Sequence, residues 1–384
     1  MFSKKNKKTM ALDEVDAKLS KLRIPLSMVV TPINLDEERK RFLNSERYNP
    51  VFKYSIVKNS NDVIFKDLLE LDAVEGVEPR ISNFYLELIE DKKLAHDLMC
   101  SVGNNELFTD LSAQKFRSPT SVLYRNACRV MRGNYKNYDV IDTTSLKKSE
   151  YLDFNAIKEV FLCVFNEFGL SDWNVNKSKN IRKSGVKTGI KSKEIFVDPN
   201  IQKAASDVKK TVIHELTHIL RAYNGEFSGV KAFSKPNVNS YLDVEEGLAM
   251  WNEEHMGYLK DVDLKERASI VYAIYLGKKK SFRELYNVMF GIYPKKKAFY
   301  IAYLAKRGMG DTSLPGIYTK SATYFRGFRK IRKRLESDVS LYEKLFAGKI
   351  SLKHVKWVEE GLIRGPKIVP TKRHFEDAFK KAGI

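Results

Sequence analysis

Cysteine is scarce in this chain: Cys100, Cys128 and Cys163 are the only three in 384 residues. An odd number of widely spaced cysteines excludes a disulfide framework, and none sits in a metal-type or nucleophile-type motif. They read as reduced thiols of a cytoplasmic protein, filling space as small buried hydrophobes. Long apolar runs are missing as well. No stretch of 18 apolar residues occurs, and the best segment, Leu22 to Val30, is broken by Pro25, so membrane insertion is not expected. The first residues, MFSKKNKKTMALDEVDAKL, carry basic side chains without the apolar core of a secretory signal. Acidic residues are outnumbered, 48 against 68 basic ones, which leaves a formal net charge of +20 and favours acidic partners at long range. The basic runs Lys4 to Lys8, Lys278 to Lys280, Lys295 to Lys297 and Arg326 to Arg334 are scattered and accompany no nucleic-acid-binding motif, so nucleic acid is not the favoured partner. What is plentiful is the material of a core. Hydrophobic residues make up 43% of the chain, with 22 Phe and 19 Tyr, a globular composition.

The chemistry concentrates at His214-Glu215-Leu216-Thr217-His218. In a helix, residues four apart lie about 5 to 6 Å from each other on one face, so two imidazoles at this spacing can share a metal ion. Glu215 lies one step round, where it serves as a base toward a water rather than as a third ligand. Chance yields on the order of 0.01 such matches in a chain of this composition. The context is helical: Val208, Val212, Ile213, Leu216, Ile219, Leu220 and Tyr223 recur with a helical period, and Asn224-Gly225 supplies a stop signal. A catalytic zinc needs a third protein ligand, and LDVEEGLAMW (Leu242 to Trp251) offers acidic residues beside small ones. Glu246 is one choice; Glu245, Asp243 and His255 compete on spacing alone. Gly247 and Ala249 would let this second helix approach the first closely.

These residues carry a resemblance. HELTHILRAYNGE with VEEGLAMWNE is similar to the Glu-zincin family of domains of unknown function that includes the microtubule-associated tyrosine carboxypeptidases and bacterial proteins named for a Gln-Glu-Gly-Leu-Ala motif. TPINLDEERKRFL and NPVFKY (Thr31 to Tyr54) resemble its N-terminal signature, and SFRELYNVMFG, AKRGMGDTSLPGIYTKSATYFRGF and LFAGKISLKHVKWVEEGL its C-terminal half. The resemblance implies that Glu246, directly before Gly-Leu-Ala, is the third ligand of a Zn²⁺ ion. It also makes an acidic polypeptide tail as good a partner for the basic chain as nucleic acid. One departure stands out: family members read His-Glu-Ile-Gly-Thr-His, one residue longer between the imidazoles, a spacing that needs a local widening of the helix. Inherited specificity is weakest at that point.

Along the chain, residues 1–27 read as a basic arm, disordered at its start, residues 28–145 as a helical N-terminal region, and residues 146–384 as the metallopeptidase domain. The stronger helical segments are Asp62 to Leu71, Phe84 to Val102, Pro119 to Met131 and Asp153 to Phe168, the last capped by Asp153 and stopped at Gly169. Trp173 to Lys177, Gly185 to Lys191 and Glu194 to Val197 read as short strands. The expected fold is therefore α+β and mainly helical: a zincin-like catalytic domain with a small antiparallel sheet against the H-E-x-x-H helix. A second Glu-Glu-Gly-Leu, Glu359 to Leu362, reads as an ordinary helix end.

The expected activity is that of a zinc metallopeptidase, a carboxypeptidase that removes a C-terminal residue, aromatic ones among the candidates, from a protein or peptide. Carboxypeptidase action needs a cation for the free carboxylate, and Arg307, Lys320 and Tyr324, in the segment that resembles the family's second strong motif, are the expected substrate or oxyanion contacts. An endopeptidase or aminopeptidase on the same scaffold is the alternative enzyme. A basic binding protein with a structural or vestigial zinc site is the alternative outside enzymology, and the presence of all three ligands with the base argues against it.

Overall fold

A computed structural model of the chain describes residues 8–55, 61–143, 150–179, 185–238 and 240–384. Helices dominate, with three small sheets among the described residues, so the α+β, mainly helical class is the one observed. Among the described residues, no helix is long and apolar enough to cross a membrane. The chain forms two compact units. Unit 1 comprises Met1–Asn134, Asn237–Asn239 and Lys265–Arg326; unit 2 comprises Tyr135–Pro236, Ser240–Leu264 and Gly327–Ile384. Where the sequence suggested one boundary at 145/146, the chain enters unit 2 near Tyr135 and returns to unit 1 for Lys265–Arg326. The reason is aromatic packing: Phe42 meets Phe282 and Phe299 at ring separations of 5.0 and 5.3 Å, and Phe52 meets Tyr303 at 6.0 Å. Arg283 reinforces this by donating to the carbonyls of Phe42, Ser45 and Tyr48.

The arm expected at 1–27 is folded from Thr9 onward. Thr9–Ala11 pairs in parallel with Ala73–Glu75, and the helix Leu12–Lys21 buries Val15 completely. The first residues, expected to be disordered, lie outside the described residues. Helix starts follow the caps: Glu78 caps Pro79–Cys100, Asn104 caps Asn105–Phe116, Thr120 caps Ser121–Met131, and Asp153 caps Phe154–Glu167 as expected. The cysteines depart from expectation. Cys100 is exposed and Cys128 and Cys163 are half-buried, because each falls on the solvent side of a helix whose other face fills the core.

Within unit 1, the loop from Arg307 to Tyr318 is fastened along its length. The Tyr54 hydroxyl donates to Met309 O at 3.0 Å and accepts from Gly308 N at 2.8 Å, Asn105 Oδ1 accepts from Gly310 N, and Tyr318 N donates to Ala305 O. Gly308 (φ +92°) sits against the Phe108 ring, where any side chain would collide. At its base the fully buried Lys306 donates to Gly277 O at 3.2 Å and Leu314 O at 2.9 Å. Burial lowers the Lys306 ammonium to about 7, only partly opposed by Glu284 and Asp311. The folded value lies below the ordinary 10.5, so between about pH 7 and 10.5 the unfolded chain holds more protons. Stability is therefore expected to rise with pH through that window, by at most about 1.4 kcal/mol per pH unit. Urea midpoints of the wild type at pH 7 and 9.5 should differ in this sense, and Lys306→Met should flatten the difference; an unchanged slope in the variant would assign the effect elsewhere.

Unit 2 holds a three-stranded sheet, Asn174–Lys177, Val186–Gly189 and Glu194–Val197, with the last strand in the centre. It is mixed, which corrects the antiparallel expectation: Asn174–Lys177 runs parallel to Glu194–Val197, and Val186–Gly189 antiparallel to it. Two successive chain reversals leave the first and third strands pointing the same way. The third, with Ile195 and Val197 fully buried, takes the central position because it is the most apolar. The motif helix then runs from Ala205 to Phe227. Val208, Val212, Ile213, Leu216, Ile219 and Leu220 are each at most 1% exposed, and each such burial stabilises by roughly 1.5–3 kcal/mol. The helix outlasts the expected stop at Asn224-Gly225. Asn224 instead donates to Ile368 O and accepts from the Lys367 and Ile368 amides, and Gly225 gives way to the backbone at Phe233 and Ser234. The acidic helix Ser240–His255 follows. Gly247 does not ease its approach to the motif helix, as expected, but faces the backbone of Gly327 in the helix Ala322–Ser337; Gly327 in turn faces Asp243 O. A Cβ on either glycine would strike main chain, which cannot give. Glu359 ends a short helix with Gly361 at φ +71°, the ordinary terminus expected there.

Candidate metal centre

The motif helix is unbroken α-helix through His214 and His218, so the one-turn spacing brings both imidazoles to one face without a bulge. The rings stand 4.8 Å apart and nearly perpendicular. Their Nε2 atoms lie 3.7 Å (His214) and 3.8 Å (His218) from the same oxygen, Glu246 Oε2. Ligand atoms about 2.1 Å from a tetrahedral zinc stand roughly 3.4 Å from one another, close to these separations. Glu246 Oε2 is sealed from solvent and has no hydrogen-bond partner among the described residues. A buried carboxylate oxygen without a donor is stabilised by a cation, and two imidazole nitrogens beside it complete a donor set that suits zinc. His214, His218 and Glu246 could together hold one metal ion.

Glu246, not its neighbours, faces the Nε2 atoms of both histidines. Successive residues on a helix point about 100° apart, and Glu245 is turned into a different set of partners. Lys349 Nζ and Arg221 Nη1 both bind its carboxylate. Arg221 also donates to Leu345 O at 3.0 Å and Ile350 O at 2.6 Å, and Lys349 to His218 O at 3.3 Å. All three residues are at most 4% exposed. Burial alone would raise the Glu245 carboxyl, but Lys349, Arg221 and His218 hold it far below the usual carboxylate range. Of the other residues that competed on spacing, Asp243 lies near the helix start and is buried, and His255 stacks on Trp251 at 4.4 Å.

Each imidazole has an acidic residue behind it. His214 Nδ1 meets Glu253 Oε1 at 2.6 Å, and His218 Nδ1 lies 3.1 Å from Glu245 Oε1. The Glu253 hydrogen bond fixes the orientation of the His214 ring, whereas His218 Nδ1 makes no hydrogen bond among the described residues and has Glu245 only as a charged neighbour. Burial opposes a charge on His214, yet Glu246 and Glu253 outweigh it and push its pKa up to about 10. The cavity between these groups is strongly electronegative and stabilises a cation, whether proton or metal. Deeper in the helix pair, Asn252 Nδ2 donates to Thr217 Oγ1 at 2.8 Å and Tyr342 OH to Asn252 Oδ1 at 3.0 Å, which locks the register of the two helices.

Glu215 is anchored by a strand rather than by the acidic helix. Its Oε2 accepts a hydrogen bond from Thr188 Oγ1 at 2.5 Å. Thr188, Glu253, Arg221 and Lys349 are contributors that sequence reasoning missed. For Glu253 a signal existed, since it follows Glu246 by seven residues, two turns along the same helix face. Arg221 likewise follows His214 by seven. For Lys349 nothing local pointed to the site.

The three expected substrate contacts belong to unit 1. Arg307 lies with its guanidinium 5.0 Å over the Tyr318 ring, and its Nε is buried without a hydrogen-bond partner among the described residues. Tyr324 is stacked beneath Arg267 at 4.1 Å, and Lys320 is half-buried, its carbonyl accepting from Thr323. Of the three, Arg307 is the one whose charged group keeps donors to spare.

No match was found among curated proteins. The family model described as microtubule-associated tyrosine carboxypeptidase matches residues 40–382, nearly the whole chain, and the protein belongs to that family.

Proposed function

We propose that the protein is a zinc-dependent metallocarboxypeptidase that removes a C-terminal residue, tyrosine or another aromatic, from a protein or peptide. The observation that carries this reading is the buried, unpartnered Glu246 Oε2 facing both imidazole Nε2 atoms, in a chain of this family. His214, His218 and Glu246 would hold the metal. When bound, zinc supplies Lewis acidity that makes a water acidic near neutral pH and polarises a carbonyl. Glu215 supplies the proton transfers: its Oε1 accepts a proton from the attacking water and returns it to the leaving amine, while Oε2 stays with Thr188. The edge strand Val186–Gly189 pairs on one side with Glu194–Val197, and its other side offers main-chain groups to an extended peptide. Arg307 is the residue best suited to receive a free carboxylate, because a guanidinium binds carboxylate through two parallel hydrogen bonds. The net charge of +20 favours an acidic polypeptide tail as the macromolecular substrate, through the association rate more than the final affinity. A cytoplasmic setting fits three free cysteines.

The test pairs peptides of one sequence with free and amidated C-termini. Mass spectrometry should show loss of one residue from the free form and none from the amide. Equal cleavage of both would replace the carboxypeptidase by an endopeptidase or aminopeptidase, and cleavage of neither by zinc-loaded protein would favour a binding protein.

A further inference from the structure

The His214 imidazole is braced by Glu253 of the acidic helix, but Glu215 is braced by a different element. Side chains alternate along a strand, so Thr188 shares a side of the edge strand with Val186, which is 5% exposed and packed inward. From that side Thr188 Oγ1 donates to Glu215 Oε2 at 2.5 Å, the length of a hydrogen bond from a hydroxyl to an ionised carboxylate. The strand that carries it is fixed at both ends. Gly185 (φ +70°) packs on Ile201, and at Gly189 a Cβ would stand 2.6 Å from Ser192 Oγ and 3.1 Å from the Phe196 ring. The register Thr188↔Ile195 ties it to the fully buried centre of the sheet. A glutamate side chain otherwise rotates about three bonds, and restricting it costs conformational entropy. A hydroxyl on a rigid strand meets that cost before any substrate arrives.

We propose that Thr188 is a positioning residue for the reaction. By holding Glu215 Oε2 it leaves Oε1 free for the water, and it ties the base to the strand along which the peptide is read. The proposal rests on the peptidase reading above for its catalytic consequence, and on the Thr188–Glu215 contact for its geometry. Because Thr188 touches neither histidine nor Glu246, its loss should leave metal affinity unchanged.

Two measurements test it. The first compares Thr188→Val and Thr188→Ser with the zinc-loaded wild type on a peptide with a free C-terminus. Valine keeps the shape and removes the donor; serine keeps the donor. Thr188→Val should lower kcat by about 10- to 100-fold, the range for losing a hydrogen bond to a charged group, with KM and zinc content unchanged. Thr188→Ser should recover most of that loss. The second is a thermal double-mutant cycle on metal-free protein with Thr188→Val and Glu215→Ala, where the two changes in Tm should be clearly less than additive. Wild-type kcat in Thr188→Val, equal loss in the serine and valine variants, or additive Tm shifts would each overturn the proposal. If the wild type cleaves no peptide while the cycle still shows coupling, the contact is real but the peptidase reading fails, and the catalytic role of Thr188 falls with it.

Discussion

Glu215→Gln is expected to lower kcat/KM on a peptide with a free C-terminus by about 10²- to 10⁴-fold, the usual contribution of a positioned general base. That corresponds to roughly 3 to 5.5 kcal/mol of transition-state stabilisation, at 1.36 kcal/mol per factor of ten. The amide oxygen of glutamine can still accept from Thr188 Oγ1, so the local structure should persist. Only the capacity to take and return a proton is lost. Zinc content should remain at the wild-type level, because His214, His218 and Glu246 are unchanged. Metal analysis together with steady-state kinetics checks both halves. A variant that retained zinc and cleaved as fast as the wild type would show that Glu215 is not the base.

The largest effect on stability is expected from Arg221→Met. Arg221 is fully buried, binds the Glu245 carboxylate, and donates to the carbonyls of Leu345 and Ile350. Removing one partner of a buried ionic cluster costs about 3–5 kcal/mol, because the remaining charges stay desolvated and less well compensated. Here the two orphaned carbonyls add to the loss. Urea unfolding of the metal-free protein should show this as a lower midpoint at a similar m-value. The triple variant Arg221→Met, Glu245→Leu, Lys349→Met removes every charge of the cluster and should recover part of the loss; if it is less stable than Arg221→Met alone, charge burial is not the cause. The single variant should also weaken zinc binding by about 10- to 100-fold, since the Glu245 carboxylate lies behind His218 and such supporting groups contribute on that scale.

Why the site needs this cluster follows from the crowding of carboxylates around it. Glu245, Glu246 and Glu253 come from one helix, and Glu215 from the other. A metal held there would compensate Glu246, but Glu245 lies one residue away and its carboxylate, if left bare, would repel that of Glu246. Arg221 and Lys349 neutralise Glu245 and join the 345–350 segment to both helices.

Much of the chemistry was local, and local features are legible. The spacing of His214 and His218 fixes their common face once a helix is granted, and the unbroken apolar period from Val208 to Leu220 grants it. Asp153 and Gly169 bracketed their helix as read, because a cap and a left-handed stop depend on neighbours in sequence. The departures share one cause. Gly225 looked like a stop and is a close-approach residue; Gly247 looked complementary to the motif helix and fits Gly327 instead; the first sheet strand is parallel to the third. In each case the deciding partner is a segment that the chain meets only after it has turned back.

By itself, the sequence determined the helical character, the imidazole pair and the adjacent base, because a helix turn converts spacing into direction. Only the tertiary structure decided which of two adjacent glutamates meets the imidazoles, since that depends on the rotation of the Ser240–His255 helix about its own axis. The close backbone contact of Gly247 with Gly327, and the two cations that engage Glu245, set that rotation. It likewise decided that Thr188 reaches Glu215, because strand order and register exist only once the sheet has formed.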